Sequence, residues 1–325
     1  MVIQIDSIPS LLSSVTLHKF AAIDIGSNAV RLKVHQVLEQ KGVYVKKLIE
    51  YIRFPLRLGS DVFDGGYIRP ETRVKLGKLL LAYKQLCDLY EVDDYMVCAT
   101  SALRDSANAT EVKAWVEGFT GLDVEVITGQ QEATMVGLAL TPHIKPDNNY
   151  IHVDVGGGST EINIYLQGER IAGESFQAGH VRNRTTPVSI WPQMDKWIYD
   201  NLAQIRTANH EKGASKHFIA IATGGNISKL ISLYGQLYKP KDKLTYAELL
   251  SVYLDLSELD IDERSFQLNI NLDRADVIVP SAEIYLHVLR ESGARYIFSP
   301  DVGLADGIIL FLMQRNGLDP KLMQR

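Results

Sequence analysis

Apolar and polar positions change period several times along the chain. Between residues 70 and 90, Leu76, Leu79, Leu80, Tyr83, Leu86, Cys87 and Tyr90 recur at helical spacing, which predicts an amphipathic helix. Tyr95 to Thr100 and Val124 to Thr128 are short apolar runs of strand length. Helical patterns follow over 106–119 and 130–140. Further on, Phe218 to Thr223 reads as a strand ending in Gly224-Gly225-Asn226. Tyr296 to Ser299 is another, leading through Asp301-Val302-Gly303 into an apolar helix at about 305–316. Alternating strands and helices predict an α/β architecture. Turn signals at Thr141-Pro142 and over 145–149 place a domain boundary near 130–145.

One pattern occurs twice. Phe20 to Ile25 is an apolar strand that enters Gly26-Ser27-Asn28 and then the alternating run from Ala29 to Val34. Tyr150 to Val155 enters Gly156-Gly157-Gly158-Ser159 and then the run from Thr160 to Tyr165. Asp24 and Asp154 lie 130 residues apart, as do Gly26 and Gly156. The echo predicts a duplicated β-turn-β unit opening each of two similar domains.

Composition narrows the class. A chain of 325 residues with 46% hydrophobic and 22% charged residues is globular and has room for about two domains. No apolar run approaches the roughly 20 residues of a membrane span, so no membrane role is expected. The first 18 residues lack a basic start and a small-residue cleavage site, and are not read as a signal peptide. Cys87 and Cys98 form no CxxC and read as small buried hydrophobes of a reducing, cytoplasmic compartment. A net charge of −5 argues against a general nucleic-acid binder. An anionic substrate would need local basic groups and backbone N–H donors.

The Asp-x-Gly turns supply such donors. Glycines let the backbone approach an anion and permit positive φ. The freed N–H groups form a nest suited to phosphate, and the strand-end aspartates can hold Mg²⁺ beside it. The alternative for either turn alone is an ordinary hairpin. There is no Walker loop, no Rossmann fingerprint, no HExxH helix and no CxxC knuckle. His152 reads as a packed strand residue on the face opposite Val153.

The segments AAIDIGSNAVRL (21–32), ATSALRDSANA (99–109), VITGQQEA (126–133), VDVGGGSTEI (153–162), AGHVR (178–182), TGGN (223–226), RADVIVP (274–280) and DVGLADGIILFL (301–312) together carry a family resemblance. The chain resembles the exopolyphosphatase/guanosine pentaphosphate phosphatase family of the actin/Hsp70/sugar-kinase superfamily. The resemblance implies two actin-like (ribonuclease H-like) domains, each with a mixed five-stranded sheet, around an interdomain cleft. Residues 1–133 with about 305–325 would form the first domain and 134–304 the second. The C-terminal helix would pack back on the first domain. Longer members carry an HD-type helical domain; with no His-Asp dipeptide, this chain reads as the short form, and the family points to a homodimer.

The resemblance also assigns roles. Glu132, 22 residues before Asp154, is the expected water-orienting base, with a solvated helix-start glutamate as the alternative. Gln131 stands where the family has a second glutamate and leaves one carboxylate instead of two. Asp24 and Asp154 would place Mg²⁺, with Glu161 ordering that site. Gly26, Ser27 and Asn28, and Gly156, Gly157, Gly158 and Ser159, match the two phosphate loops. Arg104 and Arg182 would offer planar forks to phosphate oxygens, or form surface ion pairs instead. Arg53 and Arg57 would extend a basic track or lie on a solvated face. Gly224, Gly225 and Asn226 match the superfamily's nucleoside-site turn, or form a helix cap with Asn226 as N-cap. Ala305 replaces an arginine usual in the family.

The expected activity is Mg²⁺-dependent hydrolysis of the terminal phosphoanhydride of polyphosphate. The alternatives are a phosphatase acting on a phosphorylated guanosine nucleotide and a non-catalytic nucleotide or polyphosphate sensor. A sugar kinase is a third, whose resemblance stops at the loops.

Overall fold

The two sequence echoes are both antiparallel hairpins, and each forms the centre of a sheet. The structure is a computed structural model that describes residues 15–184, 190–212 and 218–323. Residues 1–14 of the opening segment, and 324–325 of the tail, lie outside the described residues.

In the first sheet, β1 (Thr16–Ile25), β2 (Val30–Gln40) and β3 (Val43–Phe54) form an antiparallel meander. The strands β4 (Asp94–Ala99) and β5 (Val124–Val126) add in parallel on the other side of β1, giving the order β3-β2-β1-β4-β5. The second sheet repeats this plan. Its meander is β6 (Asn149–Val155), β7 (Thr160–Leu166) and β8 (Glu169–Phe176). The parallel strands are β9 (Phe218–Thr223) and β11 (Ile297–Phe298), with β10 (Lys243–Leu244) antiparallel at the edge. The first sheet has the expected five strands; the second gains a sixth, a two-residue strand too short to show a period of two.

Burial explains the continuous apolar strand ends. Residues 20–25 are buried because β1 is covered on both faces. One face packs on the helix Pro70–Leu89, through Leu76, Leu80, Tyr83 and Cys87, and on the helix Ala109–Thr120. The other face, through Phe20, Ala22, Met96 and Cys98, packs on the helix Leu304–Arg315. That helix returns to the first sheet as expected, and ends at Arg315, before Gly317 and Pro320.

The helix Leu304–Arg315 also crosses the helix Gly129–Leu140. Their shared cluster takes in Tyr150, Tyr165 and Ile221 of the second sheet, so one apolar layer joins both halves. Helices Gly225–Leu237, Tyr246–Glu258 and Ile278–Ser292 build the core of the second sheet. Both cysteines are buried, and burial pushes the Cys87 thiol up to about 11. Among the described residues, no helix is long and apolar enough to cross a membrane.

Candidate active site

Each hairpin turn is closed in the same way. Gly26 N–H donates to Ala29 O (3.1 Å), and Gly156 N–H donates to Ser159 O (2.9 Å). Asp24 stands opposite Arg31 in the first ladder, and Asp154 stands opposite Glu161 in the second. Directly opposed residues share a sheet face, so both pairs are carried by the same geometry.

The glycines serve the fit between the halves. None of Gly26, Gly156, Gly157 or Gly158 uses the positive φ that glycine permits. A Cβ on Gly157 would lie 2.5 Å from Ser27 Cβ, and one on Gly158 would strike Phe63 and Ser101 Oγ. The two loops approach this closely because no side chain separates them. Ser27 Oγ and Ser101 Oγ share a buried hydrogen bond of 2.9 Å.

The segment Ala178–Arg182 braces the second loop. His180 N–H donates to Gly156 O, while the Val181 and Arg182 amides donate to Gly157 O, at 2.8–3.0 Å. Arg182 Nε donates to Gly158 O (2.7 Å), Nη2 to Asp105 Oδ2 (2.5 Å), and the guanidinium stacks on Phe63. Arg182 thus has a different place from the expected phosphate fork. Its donors hold the loop's carbonyls and tie the two halves together. Gly158 and Arg182 do not line the cleft, whereas Gly26, Ser27, Asn28, Gly156, Gly157 and Ser159 do.

Glu132 lies in the first turn of the helix Gly129–Leu140 and faces the cleft. Its Oε2 is buried and accepts no hydrogen bond among the described residues. Arg104 Nη1 is 4.0 Å from it and donates to Ile127 O (3.0 Å). Arg104 is therefore seated beside the glutamate and does not line the cleft. Gln131 closes a capping box: its N–H donates to Thr128 Oγ1, and its Oε1 accepts from Thr128 N–H (2.8 Å). A glutamine serves that position as well as a glutamate, so the helix end survives the departure from the family pattern.

The acids crowd one another. Burial, then the charges of Glu161, Asp154 and Asp24, push the Glu132 carboxyl well above its usual range, against Arg104. Burial and Asp154 raise Glu161 to about 7, although the Ser175 and Ser159 hydroxyls oppose the shift. Burial raises Asp154 to about 6, with Asp24 adding to it. A buried carboxylate oxygen without a hydrogen bond, among acids whose pKa values are raised, fits a hard, oxygen-preferring divalent cation. The oxygens of Asp24 and Asp154 belong to no tight cluster of three. Among the described residues, the one such trio within 4.8 Å is Asp195, His287 and Glu291, away from the cleft.

The remaining wall is cationic. Arg31 Nη1 donates to Asp24 Oδ2 (2.7 Å), and Lys33 Nζ donates to Asp306 Oδ2 (2.7 Å). Arg53 and Arg274 join them, with His180 between. Burial, with Arg31, Arg53, Arg274 and Arg57 around it, pushes His180 down to about 3, so the ring is neutral. Arg31, Lys33, His180 and Arg274 carry no role in the sequence reading. Arg31 had a legible signal: it follows Asp24 by seven residues, as Glu161 follows Asp154. Arg53 lines the cleft as a basic track requires, while Arg57 pairs with Asp276 outside it.

Gly224, Gly225 and Asn226 border the cleft. Gly224 is the N-cap of the helix Gly225–Leu237, at φ 96°, where glycine is favoured. Asn226 is not the cap. It sits inside the first turn, and its Nδ2 donates to Ser281 Oγ (2.6 Å). The Arg274 guanidinium fills the space where a Cβ of Gly225 would stand. His152 is buried between Thr223 Oγ1 and Asn163 Nδ2, and burial lowers it to about 3.

Comparison with known proteins places this arrangement. The model of the Ppx/GppA phosphatase family matches residues 37–316. The chain is 26% identical over 318 residues to a bifunctional 3-dehydroquinate synthase/phosphatase of Fusobacterium nucleatum, covering 89% of this chain and 46% of that protein. It is 32% identical over 181 residues to exopolyphosphatase 2 of Mycobacterium tuberculosis, covering 51% of this chain and 54% of that protein. The chain thus spans about half the length of the curated relatives it matches. The crystal structure of the Aquifex aeolicus member of the Ppx/GppA family superposes with a TM-score of 0.71 at 26% identity, over 93% of this chain and 99% of that one.

Proposed function

The chain belongs to the Ppx/GppA phosphatase family, and from that premise we propose that it hydrolyses the terminal phosphoanhydride bond of inorganic polyphosphate. The observation that carries this reading is Glu132 Oε2, buried and without a hydrogen bond among the described residues, in a cleft whose other wall is cationic. Such a cleft can hold a polyanion by one end and a water by the other.

In this reading the terminal phosphate lies between the two hairpin loops. Donors from Ser27, Asn28, Gly157 and Ser159, which line the cleft, bind its oxygens, and Arg31 and Arg274 face the next phosphates. Glu132 accepts a proton from water as the water oxygen bonds to the terminal phosphorus. The bond from that phosphorus to the bridging oxygen breaks, and the bridging oxygen leaves with the shortened chain. The products are orthophosphate and a chain one unit shorter. Positioning and charge stabilisation dominate such a transfer. Mg²⁺ held by Asp24 and Asp154, with Glu161 ordering them, would neutralise phosphate charge and relieve the crowded acids.

A phosphorylated guanosine nucleotide, guanosine pentaphosphate, is the second reading. It is favoured by Gly224, Gly225 and Asn226, which border the cleft with the Arg274 guanidinium packed over Gly225. The test is orthophosphate release with Mg²⁺ from long-chain polyphosphate, short-chain polyphosphate and guanosine pentaphosphate in parallel. Release that Glu132→Gln abolishes while anion binding persists supports the hydrolase, and the preferred substrate chooses between the readings. Near-normal rates in Glu132→Gln overturn its role. Binding without release from any substrate turns the reading to a sensor.

A further inference from the structure

The cationic wall of the cleft does not run on unbroken. Arg274 makes no side-chain hydrogen bond or ion pair among the described residues, and Gly225 gives it room. Next to it, Arg53 is taken: its Nη2 donates to Asp273 Oδ2 at 2.5 Å, and both side chains are largely buried. Beyond the cleft, Arg57 is taken in the same way by Asp276. Both acids come from one short segment of the second half, and both arginines come from the first half.

That segment is moored. Asn28, in the first hairpin turn, donates from Nδ2 to the Asp273 carbonyl (2.9 Å). Polar atoms around the junction remain unsatisfied: Arg53 Nε, Asn28 Oδ1 and His180 Nδ1 are buried and make no hydrogen bond among the described residues. Buried polar groups without partners are rare in a finished structure and mark a place where a polar ligand belongs. The donor side of that deficit suits a phosphate oxygen.

We propose that Asp273 limits the reach of the cleft along its substrate, ending the run of available cations at Arg53 so that only a short series of phosphates is gripped. This rests on the phosphoanhydride reading above. The phosphates next to the scissile bond meet the unpaired Arg274, beside Arg31, which Asp24 holds at 2.7 Å. A phosphate further along reaches Arg53 only by displacing the Asp273 carboxylate, and it meets a negative charge as it does so. A longer chain therefore gains little from its extra units, and the cleft favours short polyphosphate or a nucleotide phosphate group over long polymer.

The experiment compares two chain lengths on three proteins. Equilibrium binding of tripolyphosphate and of long-chain polyphosphate is measured by calorimetry for the Glu132→Gln chain, which holds substrate, with and without Asp273→Asn. Asparagine keeps the size and removes the charge. The expected result is long-chain binding tighter by about tenfold, with tripolyphosphate changed by less than about twofold. Adding Arg53→Met to Asp273→Asn should return the length ratio to its starting value, and melting curves confirm that each protein is folded. Equal change at both lengths, or no change at either, overturns the proposal. Orthophosphate release by the unmodified chain is scored separately. Release with an unaltered length ratio sinks the limit set by Asp273 alone. No release, with the length-selective gain in binding intact, sinks the hydrolase and keeps the limit. Failure of every protein to bind either chain overturns both.

Discussion

Asp154 and Glu161 are cross-strand partners at the mouth of the β6–β7 hairpin, two carboxylates opposed on one face of the sheet. The equivalent pair in the first hairpin is Asp24 with Arg31, which is neutral overall. Like charges directly opposed destabilise a ladder. The duplicated unit has therefore kept its backbone and differs in the sign of one partner. The first copy binds its own aspartate, and the second holds an uncompensated acidic pair.

That pair makes stability depend on pH in a defined direction. Asp154 is raised to about 6 and Glu161 to about 7, both above their ordinary values. The folded state then holds protons that the unfolded state releases between about pH 4 and pH 7, so stability is lost as pH rises through that window. A cation among the acids would reverse the loss. Without divalent metal, the melting temperature should be lower at about pH 8 than at about pH 5 by at least about 2 °C. Mg²⁺ should restore it at the higher pH and do little at the lower. Glu161→Gln should flatten the dependence. A Mg²⁺ effect equal at both pH values would count against Asp154 as part of the proposed metal seat.

Arg104 gives a second pH prediction. At 4.0 Å from Glu132 Oε2, its charge holds the glutamate down against burial and the neighbouring acids. A unit charge at that distance is worth ~1 kcal/mol even in bulk water. Arg104→Met should therefore move the acid limb of kcat upward by about half a pH unit or more. A residue that instead binds phosphate would raise KM and leave the limb in place. The pH–rate profile of the variant separates the two.

Much of this site is legible in the sequence. The paired turns with Asp24 and Asp154 are signalled by local pattern, because a hairpin turn is a local structure, whereas Glu132 and the Gly224-Gly225 turn stand out through the family resemblance. The central hairpin common to both sheets follows from the same repeat. What escaped depends on distant partners. Arg182 reads in sequence as a phosphate fork or a surface ion pair, and its ties to Gly158 O and Asp105 appear only when the halves meet. Arg274 and His180 lie far from both turns in the chain and reach the cleft through the fold of the second half. The triple glycine was legible as a feature, but its reason was not: the space above Gly157 and Gly158 is filled by Ser27 and Phe63 of the other half.

That packing predicts a rescue. In Gly158→Ala the new methyl would collide with the Phe63 ring and lie 2.7 Å from Ser101 Oγ. Overpacking of this kind costs about 1–3 kcal/mol. The halves should part, with a lower melting temperature and weaker anion binding. Phe63→Ala also destabilises the fold, through the lost ring and its stacking on Arg182, but it removes the collision. The double variant should be more stable than the sum of the two single losses, by about 1 kcal/mol in a double-mutant cycle. Additive losses would show that the clash is absorbed elsewhere.

Gly307 carries the last prediction, and here two effects of opposite sign compete. It lies within the helix Leu304–Arg315, where glycine costs about 1 kcal/mol relative to alanine. Propensity alone therefore predicts that Gly307→Ala stabilises the protein. The methyl would, however, be driven into the Met135 carbonyl, with Val136 N only 3.1 Å away, both backbone atoms of the helix Gly129–Leu140. Backbone cannot rotate aside as a side chain can, so the helices must separate. Overpacking costs about 1–3 kcal/mol, and a contact this close with backbone belongs at the upper end of that range, so the clash outweighs the gain. Gly307→Ala should lower the melting temperature. Because the displaced helix also carries Glu132, it should reduce turnover more than anion binding. An unchanged or raised melting temperature would show that the two helices can part without loss, and that their crossing does not fix the position of Glu132.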